Sequence, residues 1–139
     1  MRSGGCLCGG VRYEVEGDLA PIQLCHCGQC RKAQGGAFGA NVPVATADLR
    51  WLQGEDLMRE FRASAGKRRV FCGTCGSPLF SQRDEALETL RLRVGTLDGD
   101  GAGLEVGFHI QTASKAAWWD IADDRQQYSA GVPRPSGCH

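Results

Sequence analysis

The stretch Cys25-His26-Cys27-Gly28-Gln29-Cys30 puts three thiols and an imidazole into six residues. Cysteines at this density, in a chain whose N-terminus MRSGGCLCGG lacks an apolar run behind its arginine, point to metal rather than to disulfides. Two further groups share the pattern: Cys6 and Cys8 as a CxC pair, and Cys72 and Cys75 as a CxxC pair. Cys138 alone stands apart, one residue from the end.

Ligand arithmetic then separates the groups. A structural zinc takes four protein ligands, and a catalytic one keeps three and leaves a position open. Cys6, Cys8, Cys72 and Cys75 make one saturated set of four thiolates, a staple between distant segments. Cys25, Cys27 and Cys30 are one ligand short. His26, His109, or Cys138 and His139 from the tail are the alternatives for closing that shell. His26 lies between two ligands, and successive side chains of an extended segment face opposite ways. Three thiolates leave a bound zinc with about one negative charge, which blunts water activation and favours an incoming soft thiolate.

The rest of the chain reads as short strands. Twenty glycines in 139 residues favour tight turns over long helices. Val11, Tyr13 and Val15 alternate with Arg12, Glu14 and Glu16, and Leu90, Leu92 and Val94 alternate with Arg91 and Arg93. Further strands are expected over 38–44, where Pro43 suits an edge or a strand end, and over 57–63, 79–82 and 106–110. Residues 28–34 read as one or two helical turns ending at Gly35-Gly36, and Thr46 as the cap of another short turn. Residues 116–121 are ambiguous. The expected fold is mainly β, a small zinc-stabilised domain over residues 1–130 followed by a loose tail, 131–139.

Lys plus Arg equals Asp plus Glu, 16 of each, so no net field draws in nucleic acid. No apolar run is long enough to span a membrane, and a cytoplasmic protein is expected. Monomer and homodimer are both compatible with the pattern.

GGCLCGGVRYEVEG, CHCGQC, RRVFCGTCGSPLF and HIQTASKAAWW together resemble the glutathione-dependent formaldehyde-activating enzyme family, whose domain also occurs in the centromere protein of the V type. The resemblance implies a β-tent fold with two Zn(2+) ions per chain. Cys6, Cys8, Cys72 and Cys75 would hold the structural ion, and Cys25, Cys27 and Cys30 the catalytic or labile one. It further implies a carbon–sulfur lyase acting on a thiol–aldehyde adduct such as S-hydroxymethylglutathione, with a small thiol such as glutathione and a small aldehyde as partners. The competing expectation is a non-catalytic zinc module that binds a protein or chromatin partner.

An anionic thiol needs cations or backbone donors. Arg31 and Lys32 directly follow the triplet, Gln34 to Gly36 follow its short helix, and Lys67, Arg68 and Arg69 precede Cys72. Phe38 is expected to pack near the metal, and Trp118 and Trp119 to divide between core and pocket or partner contact.

Overall fold

The structure is a computed structural model that describes residues 1–132. Among these the strands run β1 (Arg2–Gly5), β2 (Arg12–Val15), β3 (Ile22–Cys25), β4 (Gly39–Ala45), β5 (Leu49–Gln53), β6 (Met58–Ser64), β7 (Lys67–Cys72), β8 (Pro78–Arg83), β9 (Thr89–Arg93), β10 (Val106–Ile110) and β11 (Gln126–Gln127). The one α-helix among them is α1 (Gly28–Gln34), and four single 3-10 turns complete the set. The protein is mainly β, as its glycine-punctuated alternation requires.

The chain divides into two compact units. One comprises residues 1–20 and 42–103. In it β1, β2 and β5 form an antiparallel sheet with Tyr13 opposite Gly4 on one side and Trp51 on the other. β6, β7, β8 and β9 form an antiparallel meander. Val11, Tyr13, Val15, Leu79 and Leu92 are its fully buried centre, so the expected alternation in β2 and β9 sets the core. Tyr13 reaches Thr96 with its hydroxyl at 2.7 Å, and burial pushes its phenol up to about 12.

The second unit comprises residues 21–41 and the chain from Leu104 onward. Here β3 pairs antiparallel with β4 and parallel with β10, which in turn carries β11 in parallel. Parallel neighbours need a long crossover rather than a turn, and residues 26–105 supply it. α1 begins at Cys27, whose extended backbone makes it the N-cap, and ends where Gly35 enters the left-handed region at φ 66°. The N–H groups of Gly35 and Gly36 both return to the carbonyl of Arg31, which closes the helix.

Local expectations needed correction in two places. Thr46 opens a 3-10 turn without capping it, because its hydroxyl donates to the carbonyl of Leu87 at 2.7 Å. Pro43 lies inside β4 rather than at its end, past the Gly39–Asn41 stretch that pairs with β3. Residues 116–121, ambiguous in the sequence, form no regular element and are held by turns such as Trp119 N–H to the carbonyl of Ala116.

Candidate metal centres

The first centre lies wholly in the larger unit. Cys6 and Cys8 enter the turn after β1, Cys72 ends β7, and Cys75 sits in the turn before β8. Their four sulfur atoms all lie within 4.8 Å of one another. Cys6 and Cys8 Sγ are 3.5 Å apart, and Cys8 and Cys72 Sγ 3.9 Å. Zinc–sulfur bonds of about 2.3 Å in a tetrahedron separate sulfurs by about 3.8 Å, so the cage fits that ion.

Donors around the cage favour thiolates. The Val11 N–H donates to Cys6 Sγ at 3.2 Å, and Ser77 Oγ lies 3.2 Å from Cys75 Sγ while accepting the Leu7 N–H at 2.9 Å. The Ser77 hydroxyl and N–H hold the Cys75 thiol down at about 5. At Cys8 the Gly10 N–H pulls the other way from Cys6, Cys75 and Cys72, and the thiol is pushed up to about 11. Four thiols this close do not ionise independently, and a divalent cation is the counter-charge that lets them do so together.

The second centre lies in the other unit. Cys25 closes β3, Cys27 caps α1 and Cys30 sits in its first turn, and their ligand atoms again lie within 4.8 Å of one another. The helix start makes this geometry local. Cys27 Sγ accepts the Cys30 N–H at 3.3 Å, the kind of contact that stabilises a thiolate. Cys25 and Cys30 are fully buried with Ile110, and Phe108, Tyr128 and Val132 pack around them.

Among the described residues, no fourth His, Cys, Asp or Glu joins this triplet. His26 and His109 stand outside it, while Cys138 and His139 lie outside the described residues. The two histidines find each other instead. His26 Nε2 and His109 Nδ1 are 2.8 Å apart, and the rings stack at 5.1 Å. His109 Nε2 lies 2.9 Å and 3.1 Å from the two carboxylate oxygens of Asp123, and Asp123 Oδ1 accepts the Arg125 N–H at 2.9 Å. The contacts to His109 and Arg125 hold Asp123 below its ordinary carboxylate value. Burial, helped by His109 and Lys115, pushes His26 down to about 4, which keeps it neutral.

An aromatic series also leads from His26. Phe38 packs edge-on to it at 5.5 Å, and Trp119 edge-on to Phe38 at 5.7 Å. Trp119 is thus the packed member of the tryptophan pair, and Trp118 faces outward.

The residues expected to meet a substrate are placed unequally. On α1, Arg31 is half-buried and Lys32 exposed, while Gln34 donates to Asn41 Oδ1 at 3.4 Å. Lys67 and Arg69 are buried in β7, and Arg68 is engaged by Gln82 at 2.8 Å and by the face of Phe80. Those three belong to their own sheet rather than offering a row of surface cations. Asp123 was not legible beforehand. It sits in a polar stretch, Asp123-Asp124-Arg125, whose composition says nothing about a buried histidine.

The comparisons agree with this geometry. The family model described as glutathione-dependent formaldehyde-activating enzyme matches residues 1–114. The chain belongs to this family. The two sheets and single short helix of the described residues are the small β-tent expected of glutathione-dependent formaldehyde-activating enzymes, and the two cysteine clusters among them are candidate metal sites. Among solved structures it is similar to a Rhodobacter sphaeroides protein studied as a structural-genomics target. That likeness has a TM-score of 0.61 and 28% identity over 72% of this chain and 91% of the other. No curated protein matches. Among the described residues, no helix is long and apolar enough to cross a membrane.

Proposed function

We propose that the protein is a zinc-dependent carbon–sulfur lyase acting on a thiol–aldehyde adduct, S-hydroxymethylglutathione or a related small-thiol adduct. Its metal-binding domain covers residues 1–130, with 131–139 as the tail. Cys6, Cys8, Cys72 and Cys75 hold a structural zinc, and Cys25, Cys27 and Cys30 hold a reactive one. The observation that carries this reading is the inequality of the two clusters among the described residues, four sulfurs in one and three in the other, within a chain of this family.

When bound at the triplet, zinc supplies a soft Lewis acid that accepts sulfur and lowers the pKa of a thiol. The protein's own side chains do the rest. Cys27 and Cys30 are fixed by the start of α1, so the ligand geometry is preset. Arg31 and Lys32 follow on the same helix and supply cations for the carboxylates of the thiol. Asn41 orients the Gln34 amide as a further polar contact. In the cleavage direction the carbon–sulfur electron pair goes to sulfur, the hydroxyl loses its proton as the aldehyde C=O forms, and the sulfur is released as thiol or thiolate.

The test is turnover of formaldehyde with glutathione and with a panel of other small thiols, followed by NMR on zinc-loaded protein of measured metal content. Thiol-dependent adduct formation that disappears in Cys27→Ser is the expected result. Two equally inert zincs and no thiol dependence would instead support a module that binds a protein or chromatin partner.

A further inference from the structure

β6 ends its sheet: β7 pairs with it on one side, and among the described residues no strand lies on the other. An outer strand offers a row of backbone N–H and C=O groups to any strand that approaches, and proteins guard such rows with charges. The guard here is Arg59, Glu60 and Arg62, all exposed, but Phe61 stands among them at 63% exposure. Contacts settle which side chains share a face. Arg62 Nε donates to Glu60 Oε2 at 3.1 Å, and Arg68 Nη1 lies 3.9 Å from Glu60 Oε1, so Glu60 and Arg62 lie on one face of the strand. Phe61, opposite Arg69 in the register with β7, alternates to the other face with Arg59.

That order of residues is complementary to itself. When two copies of a strand meet antiparallel about a two-fold axis, one residue stands opposite its own copy at the axis, and its neighbours pair crosswise. Centred on Arg59, Glu60 or Arg62, the pairing sets like charges face to face at the axis. Centred on Phe61, it brings the two phenylalanines together and sets Glu60 of each copy opposite Arg62 of the other. Arg59 then meets Ala63. Aromatic and opposite-charge pairs across strands stabilise a sheet, and like charges directly opposite destabilise it. The charges that repel a strand arriving in another register thus select this one.

We propose that β6 is a self-association edge, through which two copies of this chain join antiparallel, centred on Phe61, into one continuous sheet. Asp84, just after β8, accepts from Arg62 at 2.8 Å and 3.1 Å and so holds the guanidinium beside Glu60 at the strand. Glu60 and Asp84 balance Arg62 and Arg68 on that face, and the whole chain has no net charge, so two copies approach without net repulsion. A contact built on one strand is smaller than the roughly 800 Å² per partner of a standard interface, which makes the dimer reversible and dependent on concentration.

The experiment is sedimentation of the zinc-loaded full chain from about 1 μM to about 1 mM, across which the wild type is expected to pass from monomer to dimer. Glu60→Lys opposes two cations across the strands and Arg62→Glu opposes two carboxylates, so each variant alone should weaken the dimer at least about tenfold. Mixed in equal amounts, the two variants should pair with each other, because every charge meets its opposite again. The double variant Glu60→Lys/Arg62→Glu should recover the homodimer for the same reason. Melting temperature and zinc content show which variants stay folded. Phe61→Lys, which sets two ammonium groups at the axis from an exposed position, weakens the dimer independently of the charge pairs. A wild type still monomeric at about 1 mM, as expected if the edge serves a strand of a different protein, would overturn the proposal. So would a dimer indifferent to both Glu60→Lys and Phe61→Lys, or a mixture of the two folded charge variants that stays monomeric.

Discussion

Gly54→Ala measures how tightly the backbone is packed beside the four-sulfur cage. Gly54 has φ 86°, and a Cβ there would lie 2.2 Å from the carbonyl oxygen of Gly10 and 2.7 Å from Val11 Cα. Both are backbone atoms and cannot swing aside. The left-handed conformation alone costs alanine about 1–2 kcal/mol, and overpacking of this kind about 1–3 kcal/mol more. The total is about 2–5 kcal/mol. Gly66 supplies the control, since its φ is 77° and nothing lies within 4 Å of its Cβ position. Gly66→Ala should cost only the conformational part, about 1–2 kcal/mol. Denaturant unfolding of both zinc-loaded variants separates the two contributions. The Val11 N–H that donates to Cys6 Sγ is attached to the displaced segment, so Gly54→Ala should also release the first zinc faster to a chelator. Equal losses in the two variants, or unchanged zinc release in Gly54→Ala, would refute the reasoning.

Cys72→Ala should unfold or severely destabilise the chain and lose the structural zinc, because removing one buried ligand undoes metal binding coupled to folding. Melting and metal analysis check it, and full zinc content with normal melting would sink the assignment. Cys27→Ser should keep the fold by circular dichroism, lose the triplet zinc first under mild chelation and abolish thiol-dependent turnover. Unfolding comparable to Cys72→Ala would make the triplet a second staple. Arg62 holds Asp84 through two contacts of 2.8 Å and 3.1 Å, keeping its carboxyl below the ordinary 3.8. Because the folded pKa is the lower one, this contribution is complete above the ordinary value and lost as pH falls through the folded one. Arg62→Gln should raise the Asp84 midpoint toward 3.8 in a carbon-13 carboxyl titration, and an unmoved midpoint would contradict the pairing.

The partition of the cysteines was legible because ligand spacing is a local property. CxC, CxxC and CxCxxC place sulfurs side by side before any tertiary structure is known. The strands built on Val11, Tyr13 and Val15 and on Leu90 and Leu92 were legible for a similar reason, since one buried face imposes period two. The parallel pairing of β3 with β10 was not, because no turn joins the two and nothing near Leu24 specifies His109 as its register partner. That pairing is what brings His109 to His26. The contacts from His26 through His109 to Asp123 therefore stayed hidden although both histidines were noticed. Thr46 misled for the opposite reason, as the carbonyl of Leu87 outcompeted the local cap for its hydroxyl.

The wide spacing of the four-sulfur cage bears on how the protein is made. Cys8 and Cys72 are separated by 64 positions. At about 5–20 residues per second, the first pair leaves the ribosome roughly 3–13 s before its partners exist. Cys25, Cys27 and Cys30 all emerge within about a second of one another at the same rates. The nascent chain thus offers a complete three-sulfur set while the N-terminal pair is still half a site. A metal ion met during synthesis would therefore find the triplet complete before the four-sulfur set.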